Sequence, residues 1–242
     1  MVQQIPATEI IYPDSDGKPM ADNTEQFQWI VTLKENLELM YADDPDVFVA
    51  GDLLWYPVEG NNRLCQAPDA LVAFTRPKGY RGSYKQWEEN NIPPQAVFEI
   101  LSPSNRRGEI ARKLEFYNRY GVEEYYEYDP DTNELVGWQR QDGTLSVIES
   151  INHWVSPRLG IRFVVTSETW EIYRPDGLRF LTYVELGQRL ERTSQQLEQT
   201  NQQLEQTNQQ LEQTSQQLET TQARADRLSD RLRELGIDPE EI

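Results

Sequence analysis

VFEILSPSNRRGEIARKLEFYNRYG, Val97 to Gly121, is the stretch whose reading decides the fold. Its first five residues predict a strand buried on both faces, because Val97, Phe98, Ile100 and Leu101 leave no polar side. Glu99 stands in their midst, where an unpaired carboxylate is costly to desolvate. A short polar loop follows, and then a helix that Gly121 ends. Lys113 shares the helical stripe of Ile110, Leu114 and Tyr117, which predicts an ammonium turned toward the strand. Glu99 and Lys113 are thus expected partners, and a structural ion pair satisfies that expectation as well as a catalytic site does.

The flanks extend the same pattern. Upstream, ALVAF and VFVAGDLLWYPV are short apolar runs separated by Gly, Asn and Pro, as strands are. Before them, Asn23 is a plausible N-cap for a helix with Phe27, Ile30, Val31, Leu37 and Tyr41 near helical spacing. Downstream, EYYEYDPDTNELVGWQRQDGTLSVIES reads as three strands joined by tight turns, an antiparallel meander. TWEIYRPDGLRFLTY reads as one further hairpin. Residues 23–185 therefore form one α/β or α+β domain behind an N-terminal extension, residues 1–22.

The last quarter differs in kind. Ser194 to Thr221 is four near-identical heptads, with Leu197, Leu204, Leu211 and Leu218 at position a and Thr200, Thr207, Thr214 and Thr221 at d. The register runs from Leu186 to Leu235 and predicts a coiled-coil helix over 186–235, stopped by Gly236 and Pro239 in a tail of residues 236–242. Thr at d makes the seam thin, so the expected homo-oligomer is weak. A solvated single helix is the plainer alternative.

Bulk composition narrows the function. A net charge of −18 repels nucleic acid unless positive charge is gathered locally. Arg76 to Arg119 holds nine Lys/Arg against five acids, although a solvated surface of mixed charge explains that as well. No run approaches a membrane-spanning length and the N-terminus lacks a signal-peptide layout. Cys65 is the sole cysteine, which suits a cytoplasmic setting, and one histidine, His153, excludes a multi-histidine zinc centre.

Asp69 follows Pro68 directly ahead of an apolar strand; taken alone it reads as a turn residue. With Glu99 and Lys113 it forms a set suited to metal-dependent phosphodiester hydrolysis. Two carboxylates can give hard oxygen ligands to Mg²⁺ or Mn²⁺, the adjoining carbonyl of Ile100 could be a further ligand, and an ammonium can orient water or balance charge.

Pro68-Asp69, a gap of thirty residues and Glu99 on a strand resemble the PD-(D/E)XK nuclease superfamily, whose motif sits on a small mixed sheet flanked by helices. The standard lysine position is here Leu101. The stretch FEILSPSNRRGEIARKLEFYNRYGVEEYYEYDPD resembles the Uma-type group of restriction-endonuclease-like proteins, with E-x-x-S-P-S, a helix carrying Lys and Tyr, then G-V-x-E-Y-Y and D-P. The likeness spans roughly Phe27 to Tyr183. It implies a Mg²⁺-dependent DNA endonuclease in which Asp69 and Glu99 hold the ion and the helix-borne Lys113 attends the attacking water. Arg106, Arg107 and Arg112 are the expected DNA contacts. Asp52 is a possible extra carboxylate, although a strand bend after Gly51 also explains it. Glu25 is a possible N-terminal metal acid, and Tyr117 a core residue whose hydroxyl reaches the Lys113 site. Ser102 and Ser104 read as loop ties. A catalytically silent adaptor that oligomerises through its coiled coil stands as the competing reading; a glycosidase lacks the ordered aromatic platform.

Overall fold

The computed structural model describes residues 10–104 and 107–236. The chain divides into one unit that ends at Tyr183 and a second that begins at Val184. In the first, α1 (Thr24–Met40) starts at Asn23, whose side chain accepts the Gln26 N–H at 2.8 Å. Then come β1 (Val47–Ala50), β2 (Trp55–Tyr56), β3 (Ala70–Phe74), β4 (Tyr84–Lys85) and β5 (Ala96–Ile100). Helix α2 (Arg107–Tyr120) leads to β6 (Glu124–Asp129), β7 (Glu134–Gln141), β8 (Thr144–Val147), β9 (Arg162–Val165) and β10 (Trp170–Tyr173).

Six strands form one mixed sheet in the order β1-β3-β5-β6-β7-β8. Every pair is antiparallel except β5 and β6, because the chain crosses over through α2 between them. Side chains alternate across the sheet, and this alternation builds two cores. Ala96, Phe98 and Ile100 face one core with Ile30, Leu33 and Leu37 of α1 and with Phe163, Trp170 and Ile172 of β9 and β10. Val97 faces the other with Trp55, Tyr84, Tyr125, and Phe116 and Tyr117 of α2. Glu99 shares the parity of Val97 and therefore lies under α2.

Two expectations change. Phe27 is 51% exposed rather than part of the inward stripe. The buried positions run Gln26, Ile30, Leu33 and Leu37, and Phe27 lies about 100° around the helix from that line. Trp170–Tyr173 pairs chiefly backward with β9, and its downstream hairpin is reduced to the bridge Tyr173–Arg179. Phe163 stacks on Trp170 at 5.7 Å between ring centroids, a contact the downstream segment does not offer.

All but the first residue of α3 (Tyr183–Glu234) belongs to the second unit, and the helix includes no buried residue. Its repeat leucines are 59–68% exposed. Thr200, Thr207, Thr214 and Thr221 each donate their hydroxyl to the carbonyl four residues back at 2.8 Å. The d-position hydroxyls are thus satisfied within the helix, and what remains for an outside surface is the methyl group. Among the described residues, no helix is long and apolar enough to cross a membrane.

Candidate active site

The site forms where β3 begins, beside the end of β5. Pro68 has no N–H to donate to the ladder and its carbonyl is taken by the Asp52 N–H at 3.0 Å, and the register that pairs Ala70 with Phe98 sets Asp69 opposite Glu99. The Asp69 carboxylate takes over as ladder acceptor, receiving the Ile100 N–H on Oδ2 at 2.6 Å. This is the physical use of the Pro-Asp pair: the turn residue supplies by side chain what the backbone no longer offers. On the same strand end, the Ile100 carbonyl accepts from Nε2 of Gln26 at 2.8 Å.

Helix α2 covers this edge. Lys113 Nζ donates to Glu99 Oε2 at 2.7 Å, and the Tyr117 hydroxyl donates to the other oxygen, Oε1. Tyr117 is fully buried between Trp55, stacked at 6.3 Å, and Tyr125 at 5.1 Å, so its ring has little freedom. The structure brings Asp69, Glu99, Lys113 and Tyr117 together. Glu99 is 1% exposed and Asp69 7%. Burial and the adjacent Glu99 carboxylate push the Asp69 carboxyl well above the ordinary range, against Lys113 and the Ile100 N–H, which act the other way. Burial opposes charge on Lys113, yet Glu99 and Asp69 outweigh it and raise its pKa. Lys113 is a fixed cation.

A cavity of about 290 Å³ opens over the site, lined by Asp69, Lys113, Gln26, Asp52, Asp22 and Asp16 among others. Asp52 occupies a left-handed bend at φ 47° and lines this cavity. Burial, chiefly, raises its pKa. Glu25 is exposed and lies outside the cavity lining; its neighbour Gln26 occupies the inward position instead. Ser102 and Ser104 tie the loop after β5 to Asp22, which accepts both hydroxyls, at 2.7 Å from Ser102. These two bonds lower the Asp22 pKa. Gln26, Asp22 and the lining residues Asp16 and Lys18 escape sequence reasoning. They lie in a polar stretch whose only signal is the capping residue Asn23.

The basic region is less available than its composition suggests. Arg76 and Arg81 converge on Glu89, Lys78 binds Glu38 at 3.0 Å, and Lys85 binds Glu88 at 3.3 Å. Arg107 and Arg112 are exposed on α2, and Arg112 lines a second cavity that shares Asp16, Lys18 and Glu109 with the first. Arg106 lies outside the described residues.

No group of three or more His, Cys, Asp or Glu side chains that could hold a metal ion occurs among the described residues. The donor set nonetheless fits a hard, well-hydrated divalent cation. Two buried carboxylates face a single ammonium, and each Glu99 oxygen keeps a lone pair beyond its one hydrogen bond.

Residues 15–166 match the family described as "Uma2: Putative restriction endonuclease". Among solved structures, the chain is similar to a crystal structure of "a putative nuclease belonging to DUF820" from Anabaena variabilis ATCC 29413. That likeness has a TM-score of 0.43 and 15% identity, covering 63% of this chain and 84% of the other. No curated protein sequence matches. Because the family match spans more than half of the 242 residues, the chain belongs to the Uma2 family.

Proposed function

We propose that the first unit is a divalent-metal-dependent endonuclease that hydrolyses DNA phosphodiester bonds. One observation carries the reading: Asp69 and Glu99 are buried side by side with a single cation, Lys113, at a cavity that Asp69 and Lys113 line. That combination is unfavourable as a purely structural element, because one carboxylate remains without a counter-charge.

Asp69, Glu99 and the Ile100 carbonyl would hold Mg²⁺ or Mn²⁺, which when bound polarises a phosphoryl oxygen and acidifies a water. The remaining work falls to the protein. Tyr117 fixes one oxygen of Glu99 and so aims the other. Lys113 keeps its proton at neutral pH, so it acts as a hydrogen-bond donor and charge stabiliser toward the attacking water or the phosphoryl oxygens, and not as a base. Arg107 and Arg112 supply phosphate contacts along the exposed side of α2, and Arg106 is a further phosphate contact in this reading. Self-association through α3 belongs to the same reading: the exposed leucine seam suits a second copy of this chain.

The silent adaptor remains the competing function, favoured by the engagement of both Glu99 oxygens with α2. One assay separates the two. Supercoiled plasmid is incubated with the intact protein and Mg²⁺ or Mn²⁺, beside Asp69→Ala, Glu99→Ala and Lys113→Ala. Cleavage is expected from the parent only in the presence of metal, with each substitution slowing it by about a hundredfold or more. Parental activity in EDTA overturns the metal reading, and absence of cleavage under all conditions favours the adaptor.

A further inference from the structure

Gln26 has a position that neither the family likeness nor the acid pair explains. It is buried, yet both ends of its amide are used. Oε1 accepts the Asp22 N–H at 2.8 Å, and Nε2 donates to the Ile100 carbonyl at 2.8 Å. The residue joins the entry of α1 to the last residue of β5, seventy-four positions away. Ile100 is the hinge of the acid pair. Its N–H is held by Asp69, its carbonyl by Gln26, and its chain neighbour is Glu99. β3 begins only at Ala70, so no backbone group of β3 restrains this peptide, whose other edge is held by the Leu101 N–H on the Tyr128 carbonyl at 2.8 Å.

We propose that Gln26 is a positioning residue for the cation site: by fixing the Ile100 peptide it sets how Asp69 and Glu99 face one another, and so determines divalent-metal affinity. The inference rests on the metal-dependent reading above. An amide is required on chemical grounds. One end of the side chain meets a donor and the other an acceptor, and only a neutral primary amide of this length serves both. An ionised glutamate has no donor for Ile100; leucine has neither group. Partners that orient metal ligands in this way commonly change affinity ten- to a hundredfold when removed.

The test is direct Mn²⁺ binding to the full chain without nucleic acid, by titration calorimetry or by loss of the free-ion paramagnetic resonance signal. Gln26→Leu and Gln26→Glu are compared with the parent, and amide hydrogen exchange across residues 100–104 is followed in the metal-free proteins. Both variants are expected to bind Mn²⁺ about tenfold or more weakly and to exchange faster across that segment. Gln26→Glu has nearly the parental shape and carries the test alone should Gln26→Leu fail to fold. Parental affinity in Gln26→Glu overturns the inference and leaves the nuclease reading standing. Tighter binding by Gln26→Glu also overturns it, since that marks position 26 as a ligand site. A parent chain that binds no Mn²⁺ sinks both.

Discussion

Asp69 and Glu99 crowd two carboxylates against one ammonium, and this imbalance makes stability depend on pH. Asp69 carries a carboxyl raised by burial and by Glu99, and burial raises Glu124 and Glu127 in the same direction. Between the ordinary value of 3.8 for Asp69 and its raised native value, the folded chain holds more protons than the unfolded one. Stability is therefore greatest on the acidic side of that window and falls as pH rises through the native value. The thermal midpoint in EDTA is expected to drop as pH rises above the ordinary carboxylate range, and Asp69→Asn to flatten the drop. Added Mg²⁺ should recover more at pH 8 than at pH 5, because ligands bind metal deprotonated. A midpoint that climbs over this range in EDTA contradicts the raised carboxyl. Glu99 and Lys113 are legible in the sequence because each breaks a local pattern, an acid inside an apolar strand and a lysine on an inward stripe, whereas Asp69 alone reads as a turn residue and is legible only beside them. Gln26 breaks none. A buried glutamine beside a helix cap looks like any first-turn polar residue, and its partner is seventy-four positions distant.

At the level of elements, α2 must present Lys113 and Tyr117 to β5 at a fixed height, and β7 secures its far end. The Arg140 guanidinium donates to the carbonyls of Tyr117 at 3.3 Å, Asn118 at 2.7 Å and Val122 at 2.7 Å, capping the last turn and the Gly121 exit. Charge at a helix C-terminus is favourable as well as the bonds themselves. Arg140→Ala is expected to cost about 2 kcal/mol in urea unfolding, and Arg140→Lys to recover only part, since one ammonium cannot span three carbonyls. A loss below roughly 0.5 kcal/mol would show that α2 is held by packing alone. The helices α1 and α2, the strand carrying Glu99 and the meander are legible from periodicity and turn residues. The partner of β10 is not: β9 is four residues long with one fully buried side chain, Phe163, too short for alternation to register. Phe27 fails for a related reason. Apolar spacing near a helix start fixes a face only to within one residue, and here the polar Gln26 takes the inward place.

For the molecule as a whole, α3 is a helix of 52 residues with no buried side chain, which is difficult to sustain from intrinsic propensity alone in so polar a sequence. Association with a second copy is the natural source of the missing burial. Truncation after Leu190 is expected to convert a concentration-dependent oligomer into a monomer by light scattering, with cleavage of plasmid reduced at low protein concentration. An unchanged mass after truncation would refute self-association through this helix.

The threonine back-bonds of α3 bear on how the protein can vary. Each repeat closes its own hydroxyl on its own backbone, so no module depends on a unique neighbour. Gaining or losing one seven-residue unit, an event to which tandem coding repeats are prone, alters the helix by about 10.5 Å and leaves its leucine stripe continuous. Tail length is thus a quantity that evolution can adjust in steps, while the fold of the first unit is untouched.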